Sequence, residues 1–205
     1  PSGWWPGETS LEVIVGAILT QNTSWRNVEL ALARLKKEGA LSVERLTRIG
    51  EEQLADWIRP AGYYRIKARR LKNFFHFLQE EYQGRIGALI EQPLEKLREQ
   101  LLGIRGVGPE TADSILLYAL GKPTFVVDTY THRIFSRHHL VPEETDYEEL
   151  RSYFMGALPE EVPLFNEFHA LIVRTGKTYC RKKAPLCGDC PLGDMGMERQ
   201  INNNQ

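Results

Sequence analysis

The sequence predicts an all-α protein, and three observations carry that expectation. Apolar residues recur at three- and four-residue spacing along almost the whole chain, sustained strand-like alternation is scarce, and helix caps and breakers cut the apolar runs into short pieces. With 205 residues, 42% of them hydrophobic, the chain can bury a real core in one domain or two small ones. No apolar run reaches the roughly 20 residues of a membrane span, and the opening Pro1-Ser-Gly-Trp-Trp lacks the basic region and apolar stretch of a signal peptide. A soluble cytoplasmic protein is the expectation.

The elements follow in order. Leu11, Val13 to Val15, Ile18 and Leu19 make one apolar face, with Thr9 suited to cap it; Val28, Leu30, Leu32 and Leu35 make a second, preceded by Ser24. Ser42 offers a further cap. Leu71, Phe74, Phe75 and Leu78 form a third face, and Ile115, Leu116, Ala119 and Leu120 a fourth. Pro60, Gly62, Gly84, Pro93, Gly121, Pro123, Pro142 and Pro159 fall between segments, so about ten short helices are expected. No repeat or flexible linker interrupts them. Asp146 reads as an N-cap and Asp113 as a helix-surface acid.

Charge alone points to no partner, because 26 Lys and Arg balance 27 Asp and Glu to a net −1. Local charge differs: Arg65, Lys67, Arg69, Arg70 and Lys72 crowd one helical segment. Such a run is either a solvated face or a contact for a nucleic-acid backbone, with Lys67 the leading phosphate contact.

Two stretches carry chemistry. In Leu101-Leu-Gly-Ile-Arg-Gly-Val-Gly-Pro-Glu-Thr-Ala112, a helix meets a Gly-rich turn and a second helix. Gly106 and Gly108 about Val107 permit positive φ, and Pro109 suits a first helical turn. Backbone N–H groups exposed there would grip a phosphate without reading sequence; an ordinary tight connection between packed helices is the plain alternative. Soon after, Phe125-Val-Val-Asp-Thr-Tyr-Thr-His-Arg-Ile134 delivers Asp128 to a helix N-cap, as a simple cap or as a reactive carboxylate.

The hairpin, the Val126-Val-Asp-Thr129 run, Gly16-Ala-Ile-Leu-Thr-Gln-Asn-Thr23, Arg59-Pro-Ala-Gly-Tyr-Tyr-Arg-Ile-Lys-Ala-Arg-Arg-Leu71 and the late cysteines together resemble the endonuclease III superfamily of helix-hairpin-helix DNA glycosylases. Trp4-Trp-Pro6, the Gln-Asn-Thr-Ser-Trp25 run and Pro-Ala-Gly-Tyr-Tyr most resemble its 3-methyladenine DNA glycosylase III branch. The resemblance implies a six-helix barrel over residues 12–121 and a second helical lobe from 1–11 and 122–205, with the damaged base flipped between them. It makes Asp128 the catalytic carboxylate. Trp4, Trp5, Pro6 and Trp25 become walls of the base pocket, although they suit a hydrophobic plug or core equally. Gln21 and Tyr63 become wedges into the duplex, although both suit capping loops. The hairpin glycines and Val107 would hold DNA.

Members that also cleave the strand carry a lysine where this chain has Glu110, and a carboxylate cannot form an imine, so a monofunctional glycosylase is expected. Its substrates would be alkylated purines such as 3-methyladenine in double-stranded DNA, removed in base excision repair by a monomer. Rival expectations are an endonuclease III-like enzyme for oxidised pyrimidines or mismatches, and a non-catalytic DNA-binding module. Cys180-x6-Cys187-x2-Cys190 matches three ligands of the superfamily's [4Fe-4S] loop, but Gly196 stands at the fourth position. An incomplete cluster, zinc completed by a histidine such as His169, or free thiols all remain open. His76, His132, His138 and His139 have no metal spacing, and His132 reads as a helix-surface or DNA-adjacent residue rather than a catalyst.

Overall fold

The computed structural model describes Trp5 and residues 7–196, and among these every regular element is helical. Eleven α-helices run in order: α1 Ser10–Leu19, α2 Trp25–Lys37, α3 Val43–Arg48, α4 Glu51–Trp57, α5 Tyr64–Tyr82, α6 Ile86–Ile90, α7 Leu94–Leu102, α8 Pro109–Ser114, α9 Thr129–Arg137, α10 Tyr147–Ala157 and α11 Val162–Thr178. The chain divides into two compact units, one over Trp5–Pro123 and the other carrying the chain from Thr124.

Local chemistry explains the boundaries. Thr9 accepts the Glu12 amide at 3.2 Å and Ser42 the Arg45 amide at 3.2 Å, so each supplies an acceptor to a helix start that has none. Asp146 does the same for Glu149 N, whose own carboxylate returns to Asp146 N. Ser24 marks the start of α2 by its extended backbone alone. α5 ends where Gln83 and Gly84 both turn left-handed. α8 continues into a π-helical segment, Ile115–Ala119, in which the Leu120 amide reaches back five residues to the Ile115 carbonyl at 3.1 Å.

In the Trp5–Pro123 unit the expected apolar faces converge, except that Leu30 of the second face is 54% exposed. Ile14, Ile18, Val28, Leu35, Leu71, Phe74, Phe75, Leu78, Ile115 and Leu116 are fully buried in one cluster. In the Thr124 unit the core is aromatic: Phe125 stacks on Phe154 at 3.9 Å, with Phe165 and Phe168 edge-on to it.

Two charged residues depart from expectation. Asp113 is no surface acid, since it is wholly buried and takes a two-pronged contact from the Arg98 guanidinium at 2.9 and 3.1 Å, tying α8 to α7. Lys67 is corrected as a phosphate contact. It is 1% exposed, and its Nζ donates to the Leu19 carbonyl at 2.9 Å and the Ala61 carbonyl at 2.7 Å, joining the end of α1 to the turn before α5. Burial, helped by the charge of nearby Arg70, lowers its pKa to about 8. The cation run is thus split by the helix: Arg65 and Arg69 are exposed, while Lys72 is spent on the Leu46, Thr47 and Ile49 carbonyls.

Lys67→Met leaves two carbonyls without their donor and should cost about 1–3 kcal/mol of stability in a denaturant titration, with the salt slope of DNA binding unchanged. Arg98→Met should cost about 3–5 kcal/mol by stripping the guanidinium from a buried carboxylate, and adding Asp113→Leu should restore most of it.

Candidate functional site

In the Trp5–Pro123 unit the turn between α7 and α8 is braced from within. Gly106 adopts φ +98°, and a Cβ there would collide with the Arg70 side chain, which lies beneath the turn. Val107 N–H closes the turn on the Ile104 carbonyl at 2.9 Å. The carbonyls of Arg105 and Gly106 are taken by side chains: Asn73 Nδ2 at 2.8 Å and Gln21 Nε2 at 3.1 Å. Gln21 also donates to Thr111 Oγ1 at 2.9 Å and accepts from Arg70 Nη1. Gly108 stands exposed in extended backbone as the α8 N-cap, followed by Pro109 and an exposed Glu110.

The two expected wedges are held differently. Gln21 is half-buried and bound to the hairpin, beside Asn22 at φ +53°. Tyr63 is 70% exposed and left-handed at φ +44°, directly after left-handed Gly62. A non-glycine residue in that region is strained, and such strain persists only where surrounding structure enforces it.

The aromatic residues gather in the same unit. Trp5 stacks on Tyr118 with centroids 4.6 Å apart and planes 12° from parallel, and Trp25 meets Trp5 edge-on at 5.3 Å. Gly16 makes the seat for Trp25, because a Cβ there would stand 3.0 Å from the indole Cη2. Trp4 and Pro6 lie outside the described residues. Tyr118 lies within the π-helical segment Ile115–Ala119, and its role comes from stacking on Trp5, which is far away in the chain. No signal in the spacing identifies it.

In the Thr124 unit, buried Phe125, Val126 and Val127 lead into Asp128, the N-cap of α9. One carboxylate oxygen, Oδ1, accepts Tyr130 N at 2.9 Å, Thr131 N at 2.8 Å and Thr131 Oγ1 at 2.9 Å. The other, Oδ2, lies 3.5 Å from Nε2 of buried His169 on α11. The side chain retains 13% exposure. Burial alone would raise its pKa, but His169 and the Thr131 donors outweigh that cost and hold it below the ordinary carboxylate value. At neutral pH the group is a carboxylate with one oxygen committed to the helix.

The three cysteines differ in exposure. Cys180 is buried, Cys187 exposed and Cys190 half-buried, and among the described residues no three His, Cys, Asp or Glu side chains form a group fit for a metal ion. The site does not fit a closed thiolate set. Two arginines of α9 hold the start of this loop instead: Arg133 Nε donates to the Cys180 carbonyl at 2.8 Å, and Arg137 donates to the Arg181 carbonyl at 2.7 Å, the Lys182 carbonyl at 3.0 Å and Cys180 Sγ at 3.5 Å. His169 faces Asp128, and His132 meets the Glu143 carbonyl through Nε2 at 2.9 Å.

Comparison with known proteins gives this geometry its family. Residues 15–160 match the HhH-GPD superfamily base excision DNA repair protein family. A Methanocaldococcus jannaschii protein named "Putative DNA repair glycosylase" is 48% identical over 198 residues, 96% of this chain and 89% of its own. Endonuclease III of Thermotoga maritima is 33% identical, covering 88% of this chain and 79% of its own. Among solved structures, H. pylori 3-methyladenine DNA glycosylase bound to 1,N6-ethenoadenine superposes with a TM-score of 0.73 at 30% identity, over 86% of this chain and 89% of that one. With residues 15–160 matched by the family and a third of the residues shared with endonuclease III of Thermotoga maritima over most of its length, the chain belongs to the HhH-GPD superfamily of base excision repair proteins and is a DNA glycosylase.

Proposed function

We propose that this glycosylase is monofunctional and releases alkylated purines of the 3-methyladenine kind from double-stranded DNA, with Asp128 as its catalytic carboxylate. The observation that carries the reading is the division of labour within Asp128: Oδ1 is consumed by three donors of the α9 cap, Oδ2 is not part of that cap, and the group is held in its ionised form. Breaking an N-glycosidic bond builds positive charge on the sugar. A carboxylate already fixed in place stabilises that charge, or orients the attacking water, without reorganising during the step. One acid is enough when the departing base is itself cationic, as 3-methyladenine and 7-methylguanine are in DNA. Glu110, standing where strand-cleaving relatives carry lysine, supplies no amine for an imine.

The aromatic cluster supports the substrate class. Inserting a base between Trp5 and Tyr118 would need roughly 7 Å, twice the contact distance of about 3.5 Å, and the rings are 4.6 Å apart. A base therefore stacks on an outer face of this pair, and a cationic purine gains about 0.5–2 kcal/mol per well-placed ring that a neutral one lacks. The 3-methyladenine enzyme of H. pylori, in complex with an ethenoadenine, is 30% identical to this chain. Tyr63, exposed and strained, serves as the standing wedge. Gln21 has to leave Gly106 and Thr111 to enter the duplex.

Base release from oligonucleotides carrying 3-methyladenine, 7-methylguanine, an oxidised pyrimidine or a mismatch tests the reading. The methylated purines should be released and no borohydride-trapped adduct should form; release of only the oxidised pyrimidine, or a trapped adduct, would overturn it. Asp128→Asn should lower the single-turnover rate by roughly a thousandfold or more while DNA affinity survives. Tyr118→Leu should weaken discrimination between methylated and normal purines about two- to tenfold, the equivalent of about 0.5–1.5 kcal/mol of aromatic stacking.

A further inference from the structure

The α9 cap does not account for the whole of Asp128. A cap needs one acceptor oxygen, which serine, threonine or asparagine supplies as well. Here Oδ1 alone takes all three donors, and Oδ2 is aimed at the middle of α11. There His169 is 3% exposed, its ring 6.3 Å from Phe125 and nearly perpendicular to it. A leucine or phenylalanine would fill that aromatic core without polar cost, whereas a buried imidazole needs a partner. His169 Nε2 stands 3.5 Å from Asp128 Oδ2.

The helices are built for this approach. Gly176 lies seven residues, about two turns, after His169 and so on the same face of α11. A Cβ at Gly176 would stand 2.7 Å from Tyr130 Cβ in the first turn of α9. The missing Cβ lets α9 settle against α11, and that close approach sets the imidazole beside the carboxylate.

We propose that His169 is a positioning residue for Asp128, holding through Nε2 the carboxylate oxygen that the α9 cap leaves over and so fixing the plane of the reacting group. The inference rests on the reading of Asp128 as the catalytic carboxylate. His169 touches neither base nor sugar; it acts through Asp128, so its loss slows the chemical step and leaves DNA binding intact. A reacting group displaced by an ångström loses up to roughly a hundredfold in rate.

His169→Gln and His169→Met make the test, because the two side chains have nearly the same shape and only glutamine offers an N–H donor. In the full-length protein, single-turnover base release from 3-methyladenine DNA should fall roughly tenfold or more in His169→Met, and His169→Gln should recover most of it. Affinity for an abasic-site duplex should stay within about twofold of the parent in both. Equal rates in the two variants, or a parent-like rate in His169→Met, would overturn the proposal. If His169→Met fails to fold, His169→Phe, which keeps an aromatic ring without a donor, replaces it against the same glutamine reference. Asp128→Asn, run alongside, separates the two claims: full turnover by that variant removes the parent reading, whereas its inactivity beside an unaffected His169→Met removes only the role of His169.

Discussion

A single carboxylate with two different tasks for its two oxygens organises the Thr124 unit. Asp128 Oδ1 nucleates α9 by satisfying amides that would otherwise have no acceptor, and the threonine in the third helical position returns the favour to the Asp128 amide at 3.3 Å. The consequence is positional: Oδ1 is anchored by three donors of the helix, and Oδ2 is left to face α11. A helix-forming device thereby becomes a directional one. The aromatic core around Phe125 and the close approach at Gly176 stiffen the platform from which it points.

In the Trp5–Pro123 unit the same economy governs the hairpin. Its glycines make a turn whose carbonyls are claimed by Asn73 and Gln21, while Arg70 occupies the volume that a side chain at Gly106 would need. Positive charge lies against the turn from Arg70 rather than from Lys67, whose ammonium binds α1 to the turn before α5. Gln21 is therefore both a brace for the turn and the proposed wedge, so using it on DNA means breaking contacts that shape the hairpin.

Much of this was legible in the chain, and the omissions share a cause. The apolar periodicity placed the helices, and the caps at Thr9, Ser42, Asp128 and Asp146 were visible because capping depends on residues two or three positions away. Asp113 and Lys67 were misread because their partners are distant: Arg98 fifteen residues back, the Leu19 carbonyl forty-eight residues away. A charged residue looks solvated until a partner from another segment explains its burial. The stacking of Tyr118 on Trp5 and the pairing of His169 with Asp128 both depend on packing between segments far apart in the chain, which sequence spacing does not encode. The hold of Arg133 and Arg137 on carbonyls at the start of the cysteine loop is likewise a contact between distant segments that spacing does not reveal.

The most direct measurement is a carboxyl 13C NMR titration of Asp128 in the free protein, assigned by difference from Asp128→Asn. The account predicts titration below the ordinary aspartate value of about 3.9, because the cap donors and His169 favour the charged form more than burial disfavours it. A carboxyl titrating at or above that value would contradict it, since burial would then dominate and the ionised carboxylate on which the chemistry rests would lack its physical support.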